Sequence, residues 1–302
     1  KNPILDENVA RQLYGNKENI GITRLERFAA CAYSQFLNNG LKLGERKKFE
    51  LAAFDIGNLY HSAIKDFFDT INTNNIKWAD LDDKKSENII NDSIEKVMEQ
   101  YENDALNDIA RSAFIKKQVK DTSTETVNAL VKHIRSGNFL PREYELRIAH
   151  GRVDRVDTFE DGNNIYVKVI DYKSGNKVFN VTETFLGLQM QLMVYLKDTV
   201  DYIKKNNPDK NVYPAAGLYF HVYDPYVSEI DCEKAVSDFR KKNPDSELSD
   251  EELKKMAIEK ERFKAYRMSG LVAKEIEIVN AMDHNTITKT GSSAILPVNI
   301  TK

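Results

Sequence analysis

Apolar residues at intervals of three and four predict helices in the first part of the chain. Thr23 and Glu26 have the spacing of a capping box, so we expect a helix to begin near Thr23. A second apolar stripe follows in DIGNLYHSAIKDFFDTI, with His61 near its edge. Residues 72–137 are polar and mostly of helical pattern, which predicts a helical insertion.

The pattern changes to alternating apolar and polar residues after residue 138, which predicts strands. The turn residues Asp161-Gly162-Asn163-Asn164 predict a hairpin within this region. Beyond it we expect a helix capped by Thr182, a strand at YPAAGLYFHVYDP, a helix from Ser249 to about Met268, and a short strand at SSAILPVNI.

These elements predict an α/β fold with a central mixed β-sheet flanked by helices. No internal repeat or glycine-serine linker divides the chain, so we expect residues 1–302 to form one domain. Within it, residues 139–223 should form the sheet core and the helix beside it. The first residues, which lack an initiator Met, favour a domain excised from a longer chain.

Composition adds few constraints. The chain has 41% hydrophobic residues and no apolar run long enough to cross a bilayer, so we expect a soluble, cytoplasmic protein with no membrane partner. The formal charge of −3 predicts no global attraction to nucleic acid, so any DNA contact must come from a local basic patch. Cys31 and Cys232 lack a C-x-x-C spacing, which favours reduced thiols.

The predicted hairpin carries the candidate chemistry. Asp171 and Lys173 share one face of a strand because they are two residues apart, and the hairpin can bring Asp154 alongside them. Two close carboxylates repel unless a cation lies between them, and hard oxygen ligands suit Mg²⁺ or Mn²⁺. Such a metal could activate water for attack on a phosphodiester, with Lys173 offsetting charge in the transition state.

A simpler interpretation makes Asp154 and Asp171 solvent-facing strand residues and Lys173 their ion-pair partner. An isolated D-x-K occurs often by chance, and the pattern alone favours this simpler interpretation. The sequence around the D-x-K motif favours a catalytic site instead, because a second Asp lies one strand earlier and a helix with Gln191 and Tyr195 follows.

Three segments, GRVDRVD, VIDYKSG and QMQLMVY, resemble in sequence and order the active-site motifs of the PD-(D/E)XK nuclease superfamily in its RecB-like form. The resemblance covers most of the chain and is weakest between residues 72 and 137. It implies the restriction-endonuclease-like fold of that superfamily. Flanking segments such as TRLERFAACAYSQF and FDIGNLYHSAI narrow it to nuclease domains of bacterial helicase–nuclease subunits.

The resemblance also implies roles for individual residues. His61, Asp154, Asp171 and the Tyr172 carbonyl would be metal ligands, and Lys173 the catalytic lysine. Gln191 and Tyr195 match a Q-x-x-x-Y motif that supports the site or touches the DNA backbone. A lone helix histidine bonded to a neighbour is the alternative for His61.

Cys31 matches the first of four iron–sulfur ligands in the family, but its three companions would lie beyond the family's last strand. Cys232 matches none of those positions. Because a cluster needs several thiolates, we expect an iron–sulfur cluster only in a full-length parent protein.

DNA would be held by basic residues near the motifs, which contact phosphates without reading sequence. The candidates are Arg142, Arg147, Arg152, Arg155, Lys173 and Lys177. A solvated strand edge protected by charge is the alternative, most evenly balanced for Arg142 and Lys177.

The resemblance implies a Mg²⁺-dependent deoxyribonuclease acting on single-stranded or unwound DNA ends. Its partner would be a helicase–nuclease subunit, and the complex would serve double-strand-break repair and recombination. Two alternatives stay open: a nuclease-fold scaffold that binds DNA or the partner without catalysis, and a stand-alone exonuclease. The chain has no G-x-x-x-x-G-K-[ST] loop, so we expect no ATP hydrolysis by it.

Overall fold

A computed structural model describes residues 6–15, 20–44, 53–105, 109–244, 248–287 and 293–297 of the chain. Its α-helices are α1 Glu7–Tyr14, α2 Ile22–Ala30, α3 Ala32–Gln35, α4 Ala53–Thr73, α5 Asp83–Ala105, α6 Ile109–Arg135, α7 Val181–Phe185, α8 Gln191–Asn206, α9 Glu229–Lys242, α10 Asp250–Ala265 and α11 Ile276–Met282. Its strands are β1 Leu140–Ile148, β2 Gly151–Asp161, β3 Asn164–Lys173, β4 Asn211–His221 and β5 Ser269–Val272.

The five strands form one mixed sheet in the order β1-β2-β3-β4-β5. The β1/β2, β2/β3 and β4/β5 pairs are antiparallel, and β3 runs parallel to β4. Asp161 pairs with Asn164, so β2 and β3 are joined by the predicted tight turn. The crossover from β3 to β4 contains α7 and α8, as a parallel connection requires. The mixed sheet flanked by helices confirms the predicted fold class.

Helices pack against the sheet and form two separate hydrophobic cores with it. On one side, buried residues of α4, α5 and α6 pack with Ile170, Tyr172, Leu218 and Phe220 of β3 and β4. In the other core, Tyr195 of α8 packs with apolar residues of β2 and β3. The inner strands β2 and β3 are therefore buried on both faces, so each charged side chain on them needs a partner.

The helices α5 and α6 lie within the predicted polar insertion, residues 72–137, and together with α4 they extend the core rather than standing apart from it. Apolar residues of all three helices share one cluster with the sheet. None of the described helices is long and apolar enough to cross a membrane.

The helix predicted to begin near Thr23 is α2, which begins at Ile22, so its start is confirmed but its capping box is not. Gly21 precedes the helix and no side chain caps it, so Thr23 and Glu26 do not form a capping box. The helix predicted from Thr182 is two helices, because the chain turns at Gly187, whose φ is +79°. Asn180 caps the first of them by accepting hydrogen bonds from two backbone amides. The capping box at Ser249, in contrast, is confirmed.

The predicted strand at SSAILPVNI is absent from residues 293–297, and residues 298–300 lie outside the described part of the chain. Ser293 Oγ accepts hydrogen bonds from the amides of Ile295 and Leu296 and donates to Asp283. Such local side-chain bonds compete with strand pairing. The edge strand beside β4 is β5 instead.

Candidate active site

The β2/β3 hairpin brings the two aspartates of the sequence prediction into one buried site. Asp154 on β2 is 8% exposed and Asp171 on β3 is 2% exposed. Asp154 Oδ2 accepts a hydrogen bond from the Tyr172 amide at 2.6 Å, which ties the first carboxylate to the strand of the second. Their burial contradicts the interpretation of both as solvent-facing residues.

Lys173 and Gln191 hold the Asp171 carboxylate from both sides. Lys173 Nζ forms an ion pair with Asp171 Oδ2, so the two side chains share a face as predicted. The side-chain amide of Gln191, at the start of α8, donates a hydrogen bond to Asp171 Oδ1 at 3.0 Å and accepts one from Lys173 Nζ at 3.2 Å. Gln191 therefore fixes the relative positions of the acid and the lysine.

His61 and Glu145 complete the site around Asp154. His61 Nδ1 of α4 lies 3.4 Å from Asp154 Oδ1. One ligand atom each from His61, Glu145 and Asp154 lies within 4.8 Å of the others. Sequence analysis missed Glu145, and its backbone φ of +52° is unusual for a residue with a side chain. This conformation lies next to the site, on the strand that pairs with β2.

The charges of the site shift the pKa values of its acids and histidine. Burial, and then the neighbouring charge of Asp154, raise the pKa of Asp171 to about 6 despite Lys173. Burial and Asp154 also raise the pKa of Glu145. Burial alone would lower the pKa of His61, but its hydrogen bond to Asp154 and that carboxylate's charge outweigh burial and raise it. The site thus holds excess negative charge, which a cation would relieve.

The donor set fits a hard divalent metal ion. Carboxylate oxygens of Asp154 and Glu145 and a nitrogen of His61 converge, and Asp171 lies beside them. Glu145 is an addition to the predicted ligands, since it converges with His61 and Asp154, while Asp171 is held by Lys173 and Gln191 and its ligand role stays a prediction. A ligand role for the Tyr172 carbonyl stays a prediction.

The iron–sulfur prediction has a different outcome. Cys31 is an exposed free thiol that follows α2, and Cys232 is a buried free thiol on α9. The reduced state of both cysteines agrees with the prediction. Two thiols, one of them buried, are too few for an iron–sulfur cluster within this chain, and a cluster in a longer parent protein stays a prediction.

Tyr195 and Gly151 lie against each other next to the site and support it. The Tyr195 side chain is 5% exposed, and burial raises the pKa of its hydroxyl, partly offset by interactions with the Gln191 side chain and the Arg152 backbone. A Cβ at residue 151 would lie 2.5 Å from that hydroxyl, so only glycine fits there. The burial of the Tyr195 side chain favours a supporting role for this residue over contact with the DNA backbone.

Glu26 is a second residue that sequence analysis misjudged. The Glu26 carboxylate accepts a hydrogen bond from the backbone amide of Gln191 at 2.8 Å, so it caps α8 rather than its own helix. This long-range cap fixes the first residue of α8, the glutamine that bridges Asp171 and Lys173.

The predicted DNA contact by Arg155 is wrong. Arg155 is 1% exposed and donates two hydrogen bonds to Asp157, at 2.6 and 2.7 Å. Lys168, also buried, pairs with the same carboxylate at 2.9 Å. Arg155 is therefore part of an ion cluster inside the protein, and its charge is neutralised there.

The remaining basic residues differ in their surroundings. The Arg152 side chain is 60% exposed and pairs with Glu145 at 2.5 Å, which places an accessible guanidinium beside the site. Arg142 pairs with Glu160, toward the turn of the hairpin and away from Asp154. Lys177 lies over the ring of Tyr219, as does Lys173. Arg152 and Lys177 thus keep their predicted place near the site.

Buried acids, a neighbouring lysine and an imidazole–carboxylate group at one end of a mixed sheet define the site of a nuclease of the PD-(D/E)XK class. The sequence pattern of the PD-(D/E)XK nuclease superfamily matches residues 19–285. The chain belongs to this superfamily.

Curated relatives narrow the class. Three of them are the B subunits of ATP-dependent helicase/deoxyribonucleases. The chain is 31% identical over 319 residues to that of Exiguobacterium sibiricum, 32% over 321 residues to that of Alkaliphilus metalliredigens, and 30% over 319 residues to that of Clostridioides difficile. Each match covers 99% of the chain but 26% of the relative. This agrees with the narrower sequence resemblance, to the nuclease domain of AddB, the B subunit of the AddAB helicase–nuclease.

Proposed function

We propose that the chain is a metal-dependent deoxyribonuclease domain that hydrolyses DNA phosphodiester bonds. The observation that carries the proposal is the buried Asp171–Lys173 pair beside Asp154. Burying two carboxylates is unfavourable unless cations compensate them, and Lys173 offsets only part of the charge, since the pKa of Asp171 stays raised. A scaffold has no use for such an arrangement, whereas a nuclease needs it.

In this proposal, His61, Glu145, Asp154 and Asp171 would hold a Mg²⁺ or Mn²⁺ ion, and the Tyr172 carbonyl would be a further ligand. The bound ion supplies Lewis-acid activation of the phosphodiester and of water. Lys173 supplies a positive charge where negative charge develops on the phosphate in the transition state. Gln191 positions Lys173 and Asp171, and Tyr195 and Glu26 position Gln191.

The substrate and setting follow from the relatives, whose names combine helicase and deoxyribonuclease activities. We infer that this domain cuts single-stranded or unwound DNA in a cytoplasmic AddAB-type complex with an AddA helicase–nuclease subunit, during double-strand-break repair and recombination. Arg152 and Lys177 would contact phosphates without reading sequence.

The proposal is tested by incubating the chain with linear DNA in Mg²⁺ and separating the products on a denaturing gel. A nuclease shortens the labelled strand with time. The scaffold alternative predicts retarded DNA on a native gel with no shortening in any metal. An independent exonuclease would cut equally well with and without the partner subunit.

Metal affinity should increase with pH. The raised pKa values mean that Asp171, near 6, and His61 hold protons in the metal-free folded chain at mildly acidic pH, and a metal must displace them. We expect Mn²⁺ to bind at least tenfold more weakly at pH 5 than at pH 7.5, since roughly one Asp171 in ten is ionised one unit below its pKa and displacing the His61 proton adds to the loss.

Isothermal titration calorimetry with Mn²⁺ at the two pH values measures this difference. Asp171→Asn should reduce the pH dependence to the part that His61 contributes, because the Asn amide does not titrate. An affinity in the wild type that is constant across this range would contradict the placement of the metal beside Asp171 and His61.

A further inference from the structure

A cavity of about 600 Å³ is lined by two residues that are chain neighbours of the candidate active site. Ser174 directly follows Lys173, and Tyr60 directly precedes His61. The Lys173 carbonyl accepts a hydrogen bond from the Val222 amide, so the end of β3 is fixed to the segment after β4 at the cavity edge. The cavity is thus adjacent in the chain to both the catalytic lysine and the metal-site histidine.

Aromatic side chains form much of the cavity wall. Phe114 of α6 lines it and is 67% exposed, whereas Ile115 and Val119 of the same helix pack into the core. Tyr60 and Tyr223 line it as well. Tyr60 is buried where α4 contacts α6, and Thr122 of α6 interacts with its hydroxyl. An exposed aromatic ring beside a rigid aromatic wall suits the stacking of a planar base.

The polar groups of the cavity are mixed in charge. Lys117 and Asp121 lie one helical turn apart on α6 and both line it, while Asp224 is already paired with Arg262. A groove for several phosphates would need a surplus of basic residues. One lysine in a cavity of mixed charge instead matches a single nucleotide, whose phosphate faces Lys117 and whose base lies against the aromatic side chains.

From these contacts we infer that the cavity is a subsite for the base of the nucleotide adjacent to the scissile phosphate. The inference rests on the proposed nuclease function and deepens it, because it assigns substrate binding to the helix α6. The cavity volume lies in the range of roughly 300–1,000 Å³ that is typical of small-ligand sites. Stacking on Phe114 tolerates any base, so the subsite holds the strand without selecting sequence.

The test compares variants of the cavity with matched controls in the full chain. Phe114→Ala and Lys117→Ala should each lower kcat/KM for cleavage of a labelled single-stranded oligonucleotide about tenfold, as expected for loss of one stacked base or phosphate contact. Tyr213→Ala, an exposed aromatic at the other end of β4, and Lys120→Ala, an exposed lysine outside the cavity, should leave it unchanged.

A second arm identifies the base. Oligonucleotides with one abasic nucleotide, moved stepwise along the strand, should lose cleavage at the bond beside the missing base in the wild type. Phe114→Ala should show no additional loss at that position, because both changes remove the same contact. Independent, multiplicative losses would overturn the subsite.

The outcomes separate the subsite from the proposed function. If the wild type cleaves DNA and Phe114→Ala behaves like Tyr213→Ala, the subsite is wrong and the proposed nuclease function is kept. The same result is expected if the cavity binds a partner protein instead of a base. If the wild type does not cleave, the proposed function fails, and binding of oligonucleotides that carry 2-aminopurine at each position judges the subsite. Quenching that needs Phe114 supports it, and the absence of such quenching overturns it.

Discussion

Replacing Lys173 with alanine is expected to lower the DNA cleavage rate by about a hundredfold to a thousandfold, the range for loss of one group that stabilises transition-state charge. The Lys173 ammonium pairs with Asp171 and donates to Gln191, so its position is fixed before substrate binds. It is not among the converging metal ligands, and Mn²⁺ affinity should change little. Single-turnover cleavage of a labelled oligonucleotide and calorimetric Mn²⁺ titration measure the two effects separately.

Lys177→Ala is a matched control for this experiment. Both lysines lie over the ring of Tyr219, at 5.5 Å for Lys173 and 5.4 Å for Lys177. They therefore share a local environment, but Lys173 alone of the two contacts Asp171. We expect Lys177→Ala to lose at most a salt-dependent part of DNA binding. Equal losses from the two variants would contradict a catalytic role for Lys173.

The largest effect on stability is expected from Arg155→Met, which should lower the free energy of unfolding by about 3–5 kcal/mol, as for other buried pairs that lose one partner. Arg155 gives Asp157 two charge-assisted hydrogen bonds in a site closed to water. Without it, Lys168 alone compensates the buried Asp157 carboxylate. The contact of the guanidinium with the Phe68 ring, at 5.3 Å, is lost as well.

Urea unfolding measures this change, and Arg142→Met is the control. Arg142 also pairs with a carboxylate, that of Glu160, but both side chains are exposed, so the loss should be within about 1 kcal/mol. A similar, small loss in both variants would show that the buried ion cluster does not stabilise the fold. Weakened DNA binding by Arg155→Met at full stability would restore the surface role that its burial argues against.

Local patterns predicted the parts of the site that depend on neighbours in sequence. Alternation in β2 and β3 and the turn at Asp161–Asn164 place Asp154 near Asp171, and a spacing of two places Lys173 on the face of Asp171. The capping box at Ser249 is local too, and it is confirmed. In each case the chain within a few residues determines the geometry.

The parts that were missed depend on contacts between distant segments. Glu26 has the right spacing for a local cap, yet its carboxylate bonds the Gln191 amide, 165 residues away. Glu145 enters the site through a left-handed backbone conformation that alternation along a strand does not predict. Arg155 looks like a surface cation until the burial of β2 on both faces is known. Strand register and the packing of helices on the sheet determine the positions of these three residues, and a local motif predicts neither.

The most direct test of the nuclease site is the degradation of end-labelled linear single-stranded DNA by the wild type and by Asp171→Asn at equal folded fractions, each in Mg²⁺ and in EDTA. The site geometry predicts that the strand is shortened by the wild type in Mg²⁺ and by neither protein in EDTA. It predicts negligible cleavage by Asp171→Asn in Mg²⁺. Undiminished cleavage by Asp171→Asn, or cleavage by the wild type in EDTA, would contradict a metal-dependent nuclease site at the β2/β3 hairpin.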